Sequence, residues 1–321
     1  MLFLVKLNFK GALAVGGNEF GESNVLRGAV HSDTLFSGIV NQWVKIPAAY
    51  DIDHLISKLN SNSPPFRISS AFPYRGTEYY LPIPRGTDEW YMDISKDVPY
   101  LELSDFLELA NGKRGCLAKI PRKNPVNEFI TGHISPRVTI DRLANVSNPY
   151  QRTGWKIAEG SGLYCLLDIQ DETIKGTLEL CIRMLGDAGI GSDRNVGYGT
   201  FDPEISPISD DSDWTELFLD RTGEEISYCT LSLCCPANNS ETKENSEAKE
   251  AISYGIISRN GWILSNSSFV QMQRKECKMF SEGSLFKSPI KGCLADVTPS
   301  IFRQEHNVYR YGLGMMVAGA W

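Results

Sequence analysis

Residues 186–201 read GDAGIGSDRNVGYGTF, with Gly189, Gly191, Gly197 and Gly199 surrounding Arg194. Glycines at this density allow positive φ and let a ligand approach the backbone closely, while an arginine in their midst can grip a phosphate. On the N-terminal side, Ile174, Leu178, Cys181, Ile182 and Leu185 keep helical spacing, which predicts a helix over 173–185 with Gly186 as its cap. On the C-terminal side, Tyr198 to Ile205 reads as a strand. The order is therefore helix, loop, strand. A P-loop or Rossmann turn runs from strand to helix and presents a helix N-terminus to phosphate, and no Lys-Ser or Lys-Thr follows these glycines, so an ATP or NAD site is disfavoured. A purely structural turn remains open on composition alone.

Working outward, Phe3, Val5, Leu7 and Phe9 alternate and predict a first strand, and Lys6, Asn8 and Lys10 break the apolar run that a signal peptide would need. Ser32-Asp33 offers N-cap chemistry ahead of Leu35, Phe36, Ile39, Val40 and Trp43, one apolar face of a helix. FRISSAFPYRGTEYYLPI (66–83) reads as two extended segments broken at Pro73 and Gly76. With a long insertion set aside, the order is β-α-β-β-α-β, a ferredoxin-like (RRM-like) arrangement. The insertion spans about 86–165 within a first domain of 1–205. It holds a short helix after Ser104, a basic stretch at 112–123 and the segment PRVTIDR. Residues 206–225, with Asp210, Asp211 and Asp213, read as an acidic linker. Residues 226–321 read as a second, β-rich domain with an Asn260-Gly261 turn, a hairpin in MQRKECKMFSEGSLF and a last strand in VYRYGLGMMVA. The fold class is thus α+β, two ferredoxin-like domains with an insertion in the first.

The 321 residues are 42% hydrophobic, ample for two cores, and the eight cysteines lack CxxC pairs, which fits reduced, buried thiols. No stretch approaches the roughly 18 apolar residues of a membrane span, so a cytoplasmic protein without membrane contact is expected. The net charge of −7 argues against nucleic-acid binding through a global field. Any such site is local, and Arg137, Arg142, Arg152 and Lys156 supply a candidate cluster, with solvated surface charge as the alternative.

GIGSDRNVGYGTF is similar to the glycine-rich loop of the RAMP superfamily of CRISPR proteins. HSDTLFSGI (31–39) resembles the signature of the subunit family at the foot of the type III-A Csm complex. FRISSAFPYRGTEYYLPIPR, SPRVTIDRLANVSNPY, RKECKMFSEGSLF and VYRYGLGMMVA resemble blocks of that family in the same order, so the likeness spans nearly the whole chain. Ser192 departs from it, where the family loop often carries glycine. The resemblance implies two RAMP domains, with part of the insertion acting as a thumb that displaces a base from the guide-target duplex. It also implies a non-catalytic role: holding the 5′ handle of the crRNA and contacting target RNA as its duplex with the crRNA. The implied protein partners are the large polymerase/cyclase-like subunit and the backbone RAMP subunit, and no cofactor or metal is implied.

The residues expected to meet RNA are Arg194 with Gly189, Gly191, Ser192, Asn195, Gly197, Tyr198 and Gly199 of the loop; Arg137 and Arg142 of the thumb; Arg27, His31 and Ser32 near the first helix; Arg274 and Lys275 in the second domain; and Phe72 and Tyr74, as rings that stack on bases. Each has a plainer reading, an ion pair within the protein for the arginines and core packing for Phe72. His31 carries the rival function, a metal-independent endoribonuclease that processes the guide precursor with histidine as general acid or base. No lysine or tyrosine partner is evident beside it.

Overall fold

The computed structural model describes residues 1–15, 28–47, 51–86, 98–120, 123–141, 146–209, 212–223, 225–237, 247–264 and 272–321. Arg27, Arg142, Asp210 and Asp211 lie outside the described residues.

The first half contains β1 (Leu2–Phe9), α1 (Ser32–Trp43), α2 (Ile52–Leu59), β2 (Phe66–Ile68), β3 (Phe72–Arg75), β4 (Glu78–Pro82), β5 (Tyr100–Glu102) and α3 (Leu103–Ala110). After these come β6 (Ile130–Asp141), β7 (Val146–Ile157), β8 (Ser161–Ile169), α4 (Lys175–Ala188), β9 (Phe201–Pro207) and α5 (Asp213–Leu217). One antiparallel sheet runs β5-β4-β3-β8-β1-β9, with β2 also on β8. β1 sits between two neighbours, Val5 opposing Cys165 on one side and Ile205 on the other. Both neighbours are needed to satisfy its backbone groups.

The alternation in β1 sends Phe3, Val5 and Leu7 into the core, while Lys6 lies over the Tyr74 ring at 5.0 Å and the Tyr79 ring at 5.4 Å. α1 buries Leu35, Phe36, Ile39 and Trp43, and α4 buries Leu178, Cys181, Ile182 and Leu185. The two helices meet where Gly38 lacks a side chain: a Cβ there would fall 2.8 Å from Leu185 Cδ1. Helix over strand and helix beside helix follow from the two apolar periods.

β8 differs from the sequence reading in a way that matters. Its Leu163 to Leu167 are buried and it is the central strand, pairing with β1, β2 and β3. The expected insertion of 86–165 thus covers α3, the β6-β7 hairpin and the first half of a core strand. A strand buried on both faces shows a continuous apolar run rather than alternation, so its periodicity gives no sign of a sheet. The stretch expected as a linker, 206–225, includes the end of β9 and all of α5, whose Trp214 and Leu217 are buried. Trp214 packs its ring 5.1 Å from Tyr79 and 5.3 Å from Tyr164.

The second half contains β10 (Ser227–Thr230), β11 (Ala251–Ser253), β12 (Ile256–Arg259), β13 (Cys277–Phe280), β14 (Leu285–Phe286), β15 (Ala295–Asp296), β16 (Tyr309–Arg310) and β17 (Met316–Gly319). A four-stranded sheet runs β11-β14-β10-β17, and β12-β13 and β15-β16 form separate pairs. The hairpin expected in 272–286 does not form. β13 pairs with β12 and β14 with β10 and β11, because Glu282 and Gly283 turn the chain into a different sheet. The last strand is likewise interrupted between β16 and β17.

A continuous core joins the halves. Tyr311 stacks 5.0 Å from Phe36, and its hydroxyl accepts from the Ile68 N–H at 2.9 Å. All eight cysteines are free thiols. Among the described residues no helix is long and apolar enough to cross a membrane.

Candidate nucleic-acid interface

Four glycines in the loop after α4 take left-handed φ values: Gly189 (78°), Gly191 (90°), Gly197 (86°) and Gly199 (71°). Asp193 does the same at 58°, a conformation that aspartate tolerates. Two glycines are also required by close approach. A Cβ on Gly199 would lie 1.9 Å from the Ile190 carbonyl oxygen, and one on Gly191 would lie 2.1 Å from that of Ala14.

The loop is locked by its own backbone. Ile190 N–H donates to Gly199, Ser192 N–H to Ala14 at 2.7 Å, Gly199 N–H to Ala12 at 2.8 Å, and Val196, Gly197 and Tyr198 N–H groups to carbonyls within the loop. The backbone cradle suggested by the glycine count is therefore largely spent inside the protein. Recognition of a ligand falls to the side chains that the locked loop presents. Asn195 and Ser192 are exposed, and Arg194 is half-buried, its guanidinium without a hydrogen-bond or ion-pair partner among the described residues.

Beside the loop stands the β6-β7 hairpin, two twelve-residue strands in register from Ile130 opposite Ile157 to Asp141 opposite Val146. Strand alternation gives it two unlike faces. Arg137 opposite Tyr150 and Arg152 opposite Ser135 occupy one; Ile134, Pro136, Val138 and Ile140 occupy the other. The root of the hairpin is tied to the loop in two ways. Leu13 and Trp155 exchange both backbone hydrogen bonds, at 2.8 and 2.7 Å, and Arg152 Nη1 forms an ion pair with Asp193 Oδ1 at 2.5 Å. Arg152 also lies 5.9 Å from the centre of the Tyr150 ring. Loop and hairpin thus form one surface carrying Arg194, Arg152, Arg137 and Tyr150. Arg152 comes from the basic cluster expected in sequence, whereas Tyr150 does not stand out there; the register of β7 with β6 reveals it opposite Arg137.

Several expected contacts lie elsewhere. Phe72 is fully buried against Tyr164 at 6.2 Å, and Tyr74 is buried with its hydroxyl bonded to Asn8, so neither ring is available to a base. Tyr198 is buried at the hairpin root, where a Cβ on Gly154 would come within 3.3 Å of its Cε1. Ser32 is buried, and its hydroxyl accepts from the Leu233 N–H at 3.1 Å across the junction of the two halves. The reason is common to all four: these residues face inward on elements that the tertiary structure covers.

The segment beginning at His31 is a junction. His31 Nδ1 lies 2.7 Å from Glu282 Oε1, and Ser70 Oγ donates to the same oxygen. Burial works against ionisation of Glu282, yet His31 and Ser70 together hold its carboxyl below the usual range. Arg274 reaches Ser37 Oγ of α1 at 3.3 Å, whereas Lys275 is exposed.

Residues 224–318 match the family model of the CRISPR Csm4 C-terminal domain. The chain is 28% identical over 297 residues to the CRISPR system Cms protein Csm4 of Thermococcus onnurineus, spanning 88% of this chain and 89% of that protein. It is 22% identical over 332 residues to the Methanocaldococcus jannaschii protein of the same name, spanning 87% and 85%. Among solved structures, a chain of the Csm3-Csm4 subcomplex of the type III-A CRISPR-Cas interference complex shares its fold with a TM-score of 0.68, at 20% identity over 99% of both chains. A chain of the Csm1-Csm4 cassette in complex with cA4 gives 0.60, at 22% identity over 98% and 96%.

The antiparallel sheets give the chain the fold of these chains from CRISPR complexes. In sequence the chain is similar to the Csm4 proteins over most of its length, and its residues 224–318 are similar to the Csm4 C-terminal domain.

Proposed function

We propose that this chain is a non-catalytic, cytoplasmic subunit that holds the repeat-derived 5′ handle of the crRNA and bridges a large polymerase/cyclase-like subunit to a backbone RAMP subunit, contacting target RNA where it pairs with the guide. The supporting observation is the surface shared by the locked loop and the polar hairpin face, on which the Arg194 guanidinium has no partner among the described residues and Arg152 is held by Asp193. An arginine fork fits backbone phosphate, and Tyr150 offers a ring to a base. The order β9-β1-β8-β3 with α1 and α4 on one face supports a ferredoxin-like first domain, and the long bare hairpin supports a thumb. Solved relatives carry both kinds of partner, Csm1 in one case and Csm3 in the other, which supports the bridging role.

Tagged protein purified from its native cells is expected to bring down short RNAs sharing one repeat-derived 5′ end, together with a large cyclase-like partner. With Arg194→Ala, RNA recovery is expected to fall about tenfold, the loss of one charge-assisted phosphate contact. RNA-free protein in both preparations defeats the reading. For the rival function, repeat-containing RNA incubated with the protein in EDTA is expected to stay intact. Cleavage that disappears in His31→Ala establishes the nuclease instead.

A further inference from the structure

Two arginines bind one carboxylate at the junction of the halves, and a third reaches the same helix. Arg259 donates from Nε and Nη2 to the two oxygens of Asp33, both at 3.0 Å, and from Nη2 to Thr34 Oγ1 at 3.1 Å. Arg310 donates to Asp33 Oδ2 and to the Asn260 carbonyl. Arg274 arrives through the next peptide, its own N–H bonded to the Gly261 carbonyl at 2.8 Å, and its guanidinium meets Ser37 one turn along α1 from Asp33. The Asn260-Gly261 turn gathers all three guanidinium groups over one helix face.

Charge does not balance there. Both Asp33 oxygens are taken by Arg259 and Arg310, and Arg274 has a neutral hydroxyl as its side-chain partner among the described residues. Arg310 is only 4% exposed, and its Nε and that of Arg274 are buried with no hydrogen-bond partner. Burial, then the positive charge of Arg310 and Arg259, pulls the Arg274 guanidinium down to about 10. Like charges packed this way cost stability unless an anion joins them. Arg259 and Arg274 are half-buried and so reachable from solvent.

We infer that Arg259, Arg274 and Arg310 form a phosphoryl-anion site at the domain junction, in which a tetrahedral oxyanion supplies the negative charge that Asp33 alone does not. Guanidinium forks match the oxygens of a phosphoryl group in spacing and charge. The site uses none of the side chains of the loop-and-hairpin surface and holds whether or not that surface grips RNA. Its ligand is the backbone phosphate of a nucleic acid or a small free phosphate.

The test measures Tm of the full-length protein against inorganic phosphate, with chloride replaced to keep ionic strength constant. Saturable stabilisation is expected, a rise of about 3 °C at tenfold excess over Kd. Arg274→Met is expected to melt higher than wild type in chloride, because a like charge is gone, and to lose the phosphate response; Lys275→Met is expected to keep it. Should Arg274→Met fail to fold, line broadening of the phosphorus-31 signal by the wild-type protein decides in its place. A single-stranded RNA that displaces phosphate identifies the nucleic-acid backbone as ligand, and failure to displace identifies a small phosphate. A rise that never saturates, or that persists in Arg274→Met, overturns the site.

Discussion

Replacing Asp33 with alanine is expected to destabilise the protein by about 3–5 kcal/mol, read as a fall in the urea midpoint followed by circular dichroism. The carboxylate is buried at the head of α1, and Arg259 and Arg310, each from the other half of the chain, point their donors at it. Its removal leaves three guanidinium groups facing one another across the junction. The same group sets an acid limit. Burial opposes its ionisation, but Arg259 and Arg310 outweigh that and hold its pKa at about 2 instead of the usual 3.8. Since the folded value lies below the unfolded one, this contribution, about 2 kcal/mol, is complete above pH 4 and is lost as pH falls towards 2. A change under 1 kcal/mol in Asp33→Ala would show that the junction does not depend on this pair of ion bridges.

Gly199→Ala carries the second large effect. Alanine must accept a φ of 71° and place its Cβ 1.9 Å from the Ile190 carbonyl oxygen, so the loop has to open. The cost is about 3 kcal/mol or more, from left-handed strain and overpacking together. Gly197→Ala separates the two causes. Its φ is 86°, yet nothing lies within 4 Å of the added carbon, so about 1 kcal/mol is expected. Amide exchange at Ile190, whose N–H is bonded to Gly199, reports the opening directly: fast exchange in Gly199→Ala and near wild-type protection in Gly197→Ala. Equal effects would mean that φ alone governs the loop.

How much of the site was legible in sequence varies with the kind of signal. The glycine spacing of 189–199 announced a special backbone, and the structure has one, but it did not disclose that the loop's own carbonyls and those of Ala12 and Ala14 consume most of the N–H groups. The segment 31–39 stood out as a motif without revealing its task. Ser32 and Asp33 face the second half, not solvent, and Asp33 meets Arg259 and Arg310 at separations of 226 and 277 residues. Such pairings leave no trace in local pattern.

Amphipathic periods placed β1, α1 and α4 without help from the rest of the chain, because each buries one face and its residues alternate accordingly. Turn chemistry placed the β3-β4 hairpin around Gly76. Tertiary structure alone made β8 the centre of the sheet, buried Phe72 and Tyr74, packed Trp214 over the sheet and brought Arg152 to Asp193. Periodicity records how one element meets its surroundings, whereas these outcomes depend on which distant element supplies them, and that choice is made by the packing of the whole chain.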